Sequence, residues 1–438
     1  MDKTNALDKL KQLVAIQSVS TDKKRNSQTI KAADLIKNEL FKLGFEVKML
    51  EKNHSHPLII AFKNSQNSKK TIGVYAHYDV QPEDPISEWK TPPYTATIVK
   101  EKIFGRGVAD DKGHLIQTIS AAKNLIKENR LKDNLVFIFE GEEESEGVYF
   151  EELVKNEAKI LNNIDVFYIL DTGMKDKNIP QIFYGLRGIV TFELQIKIGN
   201  TDLHSGVYGN RVLNPAQVLA DLMAKMKNIK SGKITIPGFY DDCQRVTDEE
   251  IKLLSEYIPD QKTEKKNAQI KDFFADFLSS KIYPSLDING MIAGYTGEGF
   301  KTIIPSRARV KFSIRLVPNQ KFEKIAEKVK KFVSENLPSQ VDYDLKTSSG
   351  AEPFYTDFKN EYVVTTATIL KEVFNNNVYF NRSGGSIPAA EILLRLFKKP
   401  VIPTGFTLPD ENIHAPNENI DVEMFYKGIE VLEKIFCQ

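Results

Sequence analysis

Several short apolar runs in this chain end on residues that can bind a metal or move a proton. Thr71–Ala76 leads into His77-Tyr78-Asp79, Asn134–Phe139 into Glu140-Gly141-Glu142-Glu143-Glu144, and Val166–Leu170 into Asp171. A further polar cluster, Gly105 to Gly113, holds Asp110 and Asp111 and precedes a helical stretch. Another, Ile413 to Glu418, holds His414 and follows the run Pro400–Phe406 through a polar loop. Each alone has an ordinary explanation. A histidine at a strand end is commonly a hydrogen-bonded structural residue, and a run of Glu suits the start of a solvated helix. Asp171 before Thr-Gly is a natural turn residue, Asp-Asp-Lys-Gly reads as a turn or helix N-cap, and His414 reads as a surface histidine. Together, two imidazoles and three carboxylates from separated segments can hold two divalent cations with one carboxylate bridging them. Zinc accepts this mixture of His nitrogen and carboxylate oxygen, and paired metals about 3.5–4 Å apart stabilise attacking and leaving oxygens together. Neither Cys243 nor Cys437 falls near these segments, which argues against a structural thiolate site and for an open, catalytic one.

Such a cluster needs strands to deliver it. Leu7, Leu10 and Val14 have helical spacing, and Ile30, Ala33, Ile36, Leu40 and Leu43 form a second helical stripe. Short apolar runs follow at Leu58–Phe62, Thr71–Ala76, Asn134–Phe139 and Val166–Leu170, with a helical stretch at Leu115–Lys127. This alternation predicts an α/β layer with a buried, largely parallel sheet, where ligands bind outside the carboxyl ends of the strands. The character changes near Gly188. Ile189–Ile198 and Ala308–Leu316 alternate as half-wet strands, each followed by a helix, at about Pro215 to Met226 and at Phe322–Val333, with a strand at Val341–Leu345. Asn228 to Lys281 reads as polar, Lys-rich and irregular. After Ala351 the pattern returns to helix, buried strand and closing helix, at Glu361–Val373, Pro400–Phe406 and Val422–Phe436. The expectation is a discontinuous α/β domain, 1–188 with 352–438, interrupted by an inserted α+β domain of ferredoxin-like type at 189–351.

Composition narrows the function classes. A chain of 438 residues is long for one core, so two domains fit. Sixty Lys and Arg balance 59 Asp and Glu, which removes the electrostatic case for nucleic acid or a membrane surface as partner. Two cysteines rule out a disulfide-stapled scaffold. No apolar run approaches the roughly 20 residues of a membrane span, and the N-terminus lacks a signal-peptide apolar core. A soluble cytoplasmic protein is expected.

The clusters resemble the two-zinc aminoacylase/carnosinase metallopeptidase family of peptidase clan MH, in particular its cytosolic non-specific dipeptidase branch. The strings that carry the resemblance run in order: Ala76 to Pro82, Gly105 to Gly113, Phe139 to Ser145, Tyr184 to Gly188, Asp202 to Gly209, Phe312 to Pro318, Gly384 to Pro388 and His414 to Glu418. The resemblance implies that His77, Asp110 and Asp171 bind one metal and that Asp110, Glu144 and His414 bind the other. Asp79 would accept a hydrogen bond from the His77 imidazole. A cis peptide would follow Asp110. In the run Glu142-Glu143-Glu144 the family's base-and-ligand pair is followed by a small residue; Ser145 fills that place, which makes Glu143 the general base and Glu144 the ligand. His204 would donate to the developing oxyanion from the partner subunit of a homodimer built through the inserted domain. Arg315 would grip the substrate's C-terminal carboxylate; its alternation with Phe312, Ile314 and Leu316 puts it on the wet face, which a structural ion pair suits equally. Thr302 would contact substrate from the lid, and Gly384, Gly385 and Ser386 would bring backbone donors close to it.

The activity so implied is hydrolysis of the peptide bond of dipeptides or short peptides by a two-metal-activated water. Zinc is the expected metal, with manganese or cobalt as substitutes. The alternative is an N-acyl amino acid deacylase with the same metals. One departure bears on that choice: the dipeptidases of the branch carry Glu where this chain has Ser383, so the charge that would face a substrate's free amine is missing. A serine or cysteine hydrolase has no support, since Ser205 and Cys243 stand in no nucleophile motif.

Overall fold

From Ile72 to its end, every residue of the strand Thr71–His77 is buried. A strand without a wet face must lie inside a sheet covered on both sides. In this computed structural model, which describes residues 3–65, 68, 70–145, 147–347, 350–385 and 387–437, the strand has parallel neighbours on both flanks, Asn134–Glu140 and Val166–Ile169. Val401–Pro403 continues the sheet in parallel beyond Val166–Ile169. At the other edge, Leu58–Lys63 and then Glu46–Leu50 add an antiparallel hairpin. The sheet is therefore mixed, with a parallel centre. Glu46–Leu50 escapes the apolar pattern because no residue in it is fully buried.

The helix Lys112–Lys127 covers the sheet centre and is buried without a break from Lys112 to Ala122. It begins a turn earlier than its apolar pattern predicts, because Lys112 and Gly113 are buried as well as Leu115. It packs between Lys3–Val14 and the closing helix Val422–Ile435. Asp421 caps that last helix, its Oδ1 accepting from Glu423 N at 2.9 Å and Met424 N at 3.1 Å. A cap of this kind contributes about 1 kcal/mol.

The chain forms two compact units. The first runs up to Tyr184 and takes up Thr356–Asn381 and the chain from Ala389; the second comprises Gly185–Tyr355 and Arg382–Pro388. Against the joins expected near Gly188 and Ala351, the crossings fall a few residues away, and the stretch 382–388 lies with the second unit rather than the first. Its anchor is Arg382, whose buried guanidinium pairs with the buried carboxylate of Glu250.

In the second unit, Ser285–Ala293, Arg307–Leu316, Gly188–Lys197 and Asp342–Thr347 form an antiparallel sheet in that spatial order. Burial alternates strictly along Gly188–Lys197, and the ring of Phe192 stacks on that of Phe312 at 4.8 Å. With the helix Pro215–Met226 after Gly188–Lys197 and the helix Phe322–Asn336 after Arg307–Leu316, the chain order is strand–helix–strand–strand–helix–strand, the ferredoxin-like arrangement. The strand Ser285–Ala293 was not expected. It is mostly exposed, so it carries no apolar alternation. The stretch expected to be irregular holds the helices Asp248–Ser255 and Gln261–Ala268, each started by a side-chain cap from Thr247 or Asp260. Both are short and polar, which hides them from a periodicity argument.

Near the start of the first unit, Arg25 grips Glu83 with two hydrogen bonds of 2.7 Å, and Tyr94 adds a third at 2.6 Å. The Arg25 guanidinium pulls the Glu83 carboxyl down to about 2. Arg25→Ala is expected to lower stability at pH 7 by about 1.5–3 kcal/mol in urea unfolding. Because the folded-state value lies below the ordinary one, the contribution is complete above the ordinary carboxylate range and fades as pH falls toward 2. The gap between variant and parent should therefore narrow in acid, and a gap that stays constant from pH 7 to pH 3 would contradict the assignment. Among the described residues, no helix is long and apolar enough to cross a membrane.

Candidate metal centre

His77 closes its strand, with Glu140 opposite on the parallel neighbour. Asp171 follows the end of Val166–Ile169. These carboxyl ends share one edge of the sheet, and the loops bring the remaining groups to it. Asp110 Oδ1 lies 2.9 Å from His77 Nε2, and Asp110 Oδ2 lies 2.9 Å from His414 Nε2. One carboxylate thus faces two imidazoles, one with each oxygen. His414 Nε2 is also 3.3 Å from Glu144 Oε1. Donor atoms of His77, Asp110 and Glu144 fall within 4.8 Å of one another, as do those of His77, Glu143 and Asp171. The His77 side chain is fully buried, while that of His414 is 53% exposed, so the cluster opens on the His414 side.

Asp79 organises much of this. His77 Nδ1 lies 3.1 Å from its carbonyl and 3.4 Å from its carboxylate. The same carboxylate accepts from Glu143 N at 3.3 Å and Glu144 N at 3.0 Å. Glu142 is turned elsewhere, its Oε1 accepting from His56 N at 2.8 Å. The Asp110–Asp111 peptide is cis. Asp111 then ties down the neighbouring backbone: Oδ2 accepts from His77 N at 3.0 Å, and Oδ1 lies 2.6 Å from His114 Nδ1. His114 Nε2 accepts from Phe406 N at 2.9 Å. A backbone N–H can only donate, so the His114 proton sits on Nδ1 and points at Asp111.

Electrostatics follow from packing so many carboxylates together. Burial pushes the Glu143 carboxyl up to about 7, against the pull of His77 and helped by repulsion from Asp110 and Asp79. Burial, then repulsion from Asp110 and Glu143, drives Asp171 well above the carboxylate range. Burial opposes the charged form of His77, yet its hydrogen bonds to Asp110 and Asp79 prevail and hold it well above its ordinary value. His414, bonded to Asp110 and Glu144, is raised to about 10. The site is short of positive charge, and buried Glu144 Oε1 has the His414 imidazole 3.3 Å away. Imidazole nitrogens and carboxylate oxygens converging in this way fit divalent cations.

The remaining candidate residues belong to the second unit. Leu203–His204 pairs with Ile303–Ile304, and Ser205 N donates to Thr302 O at 3.0 Å, so His204 and Thr302 share one exposed ribbon. Gly206 N donates to His204 Nδ1 at 3.0 Å, which leaves the proton on Nε2. Arg315 pairs in register with Ile189 and Ser285 and is half-buried. Burial and the nearby charge of Arg315 bring Arg187 down to about 10. Gly385 is exposed, its N–H donating to Ser383 Oγ at 3.0 Å. Ser386 lies outside the described residues.

Residues 73–438 match the model of peptidase family M20/M25/M40. The chain belongs to this family. It is a metallopeptidase. The Cys-Gly metallodipeptidase dug1 of Schizosaccharomyces pombe is 32% identical over 460 residues, which span 99% of this chain and 94% of that one. Human beta-Ala-His dipeptidase is 30% identical over 394 residues, 87% of this chain and 77% of the relative. The crystal structure of the M20 family metallo-carboxypeptidase Sso-CP2 from Sulfolobus solfataricus is similar with a TM-score of 0.85 at 31% identity, covering 100% of this chain and 99% of the other.

In this family M20 peptidase, some residues at the centre were not singled out from sequence. Gln81 Nε2 donates to Glu144 Oε2 at 2.6 Å, and the other oxygen, Oε1, faces His414. The only signal for it was its place in the string Ala76 to Pro82. The linkage from Phe406 through His114 and Asp111 to His77 joins segments far apart in sequence, and spacing alone does not reveal it.

Proposed function

We propose that this M20 peptidase hydrolyses the peptide bond of dipeptides or short peptides. The observation that carries the reading is the Asp110 carboxylate set between the imidazoles of His77 and His414, with Glu143, Glu144 and Asp171 around it. His77, Asp110 and Asp171 would hold one divalent cation, and Asp110, Glu144 and His414 the other. Zinc suits the donor types best, with manganese and cobalt able to substitute. When bound, such a pair acidifies water and polarises the scissile carbonyl.

The chain's own residues do the rest. Glu143, whose carboxylate lies beside those of the cluster, takes the proton of the attacking water and returns it to the leaving nitrogen. Asp79 orients His77 and fixes the backbone of Glu143 and Glu144. His204, with its proton on Nε2, donates to the oxyanion from the partner subunit of a homodimer formed through the second unit. Arg315 would take the substrate's terminal carboxylate, with Thr302, Gly385 and Ser386 the other substrate-binding candidates. Two relatives are named for Cys-Gly and beta-Ala-His dipeptides, which supports a dipeptide as the substrate class here. The proposed setting is the cytoplasm.

Ser383 keeps the deacylase reading in play, because its hydroxyl accepts from Gly385 N and supplies no charge for a substrate amine. One experiment separates the readings: hydrolysis of a dipeptide panel and of acetyl- and succinyl-amino acids, before and after chelation. Dipeptide hydrolysis lost on chelation and restored by zinc or manganese is the expected result. Turnover of acyl amino acids alone would move the assignment to the deacylase. Full activity in protein stripped of metal would sink both.

A further inference from the structure

Glu418 is fully buried close to the metal centre, yet its carboxylate belongs to neither group of clustered donor atoms. Its oxygens are taken up by backbone. Oε1 accepts from Gly107 N at 3.0 Å, Ala109 N at 2.9 Å and Asp110 N at 3.1 Å; Oε2 accepts from Gly107 N at 2.9 Å and from Arg106 Nη1 at 2.7 Å. Converging N–H groups of this kind form a nest that receives an anion. Gly107 makes it possible: its φ is +85°, and a Cβ there would stand 2.7 Å from Val80 Cγ1. The loop that ends on Asp110 is therefore wrapped around one carboxylate.

That carboxylate is anchored from the other side. Glu418 O accepts from Gly105 N at 2.9 Å, and the strand it leads into, Asn419–Asp421, pairs with Lys102–Phe104. Just upstream, Asn417 is held by Lys90 N on its Oδ1 at 2.7 Å and donates to Glu88 O at 2.8 Å. Next in that direction is the loop of His414, whose φ is 64°. Glu418 thus lies on the segment that supplies His414 and grips the segment that supplies Asp110.

We propose that Glu418 is a positioning residue of the metal centre, holding the backbone of Asp110 in register with His414. The proposal rests on the two-metal reading above. It has a distinctive consequence. Loss of a ligand to one metal weakens one binding step, whereas loss of Glu418 loosens the shared carboxylate and weakens both. Gln cannot substitute, because its amide nitrogen would confront either the backbone N–H groups or Arg106, all of them donors. Asp keeps both acceptor oxygens on a shorter stem.

The test is a competitive zinc titration of the metal-stripped protein against a chromophoric chelator, on the parent, Glu418→Gln, Glu418→Asp and, as a control, Asp421→Asn. The control leaves an amide oxygen to cap the helix, removes the charge that pairs with Lys177 at 2.9 Å in the same segment, and leaves the nest around Glu418 intact. The expected result is that Glu418→Gln weakens both zinc-binding steps by about 10–100-fold, the range for outer partners of metal ligands. Glu418→Asp should recover a large part of that loss. Asp421→Asn should lose thermal stability with both affinities unchanged. Zinc affinities of Glu418→Gln within twofold of the parent, or a loss no larger than that of Asp421→Asn, would overturn the proposal. If Glu418→Gln does not fold, Glu418→Asp decides: affinities equal to the parent support the acceptor requirement only when Glu418→Ala, purified in the same way, loses both steps, and equal affinities in all three overturn it. A parent that binds no zinc fails the two-metal reading itself, an outcome distinct from failure of the positioning role.

Discussion

A Glu143→Gln variant is expected to keep both metals and to lose about 10²–10⁴-fold in kcat, with KM little changed. The substitution keeps the shape of the side chain and leaves the backbone N–H of residue 143 bonded to Asp79. What it removes is the ability to take a proton. The geometry also sharpens the alternative, because Glu143 has a donor atom within 4.8 Å of those of His77 and Asp171 and could serve as a ligand instead. A ligand would take metal with it when lost; a base would not. Metal content by mass spectrometry beside kcat therefore separates the roles. The pH profile adds a further check. Glu143 works as a base when deprotonated, so activity should fall as pH drops through its pKa. Burial pushes that value up to about 7 in the chain itself, and divalent charge beside it stabilises the carboxylate, so the acid limb of the parent belongs below 7. In the residual activity of Glu143→Gln that limb should vanish. Turnover within tenfold of the parent would remove Glu143 from the mechanism.

The parts of this centre legible in the sequence are those carried by local pattern. Thr71–Ala76, Asn134–Phe139 and Val166–Leu170 are apolar because they are buried strands, and their polar successors mark the carboxyl edge of the sheet. The half-wet strands of the second unit are equally plain, since burial alternates along Gly188–Lys197 and Arg307–Leu316. Exposed or edge elements were not legible. Ser285–Ala293 has too few buried positions to show a period, and Glu46–Leu50 likewise. Pairings between distant segments were also out of reach. Nothing near Asp110 says that its two oxygens face imidazoles 33 and 304 residues away in the chain. Nothing near Glu142 says that His56 N occupies its carboxylate and leaves the next two glutamates for the centre. Such facts exist only once the loops have closed; the family resemblance implied a shared Asp110 and was silent on His56.

Asp110→Asn is expected to have the broadest effect of any single substitution at the centre. Among the described residues, its carboxylate is the one group with an oxygen 2.9 Å from each of two histidines. An Asn in its place offers one acceptor oxygen, and its amide nitrogen would face an imidazole or a cation with no lone pair to give. Zinc stoichiometry should fall from about two per chain to well below one, whereas His414→Ala should retain one. Turnover should drop on the order of 10³-fold or more, since the two metals together supply several kcal/mol of charge stabilisation and each 1.36 kcal/mol is tenfold in rate. Folding need not fail with it. The backbone N–H of residue 110 keeps its bond to Glu418, and Asp111 keeps its bonds to His77 N and His114. A far-UV spectrum and melting curve like those of the metal-stripped parent would show as much. The contrast between the two variants carries the argument: a bridging ligand costs both metals and a terminal ligand costs one. If Asp110→Asn and His414→Ala lost the same single metal, Asp110 would be an ordinary ligand and the two-metal arrangement would need another bridge.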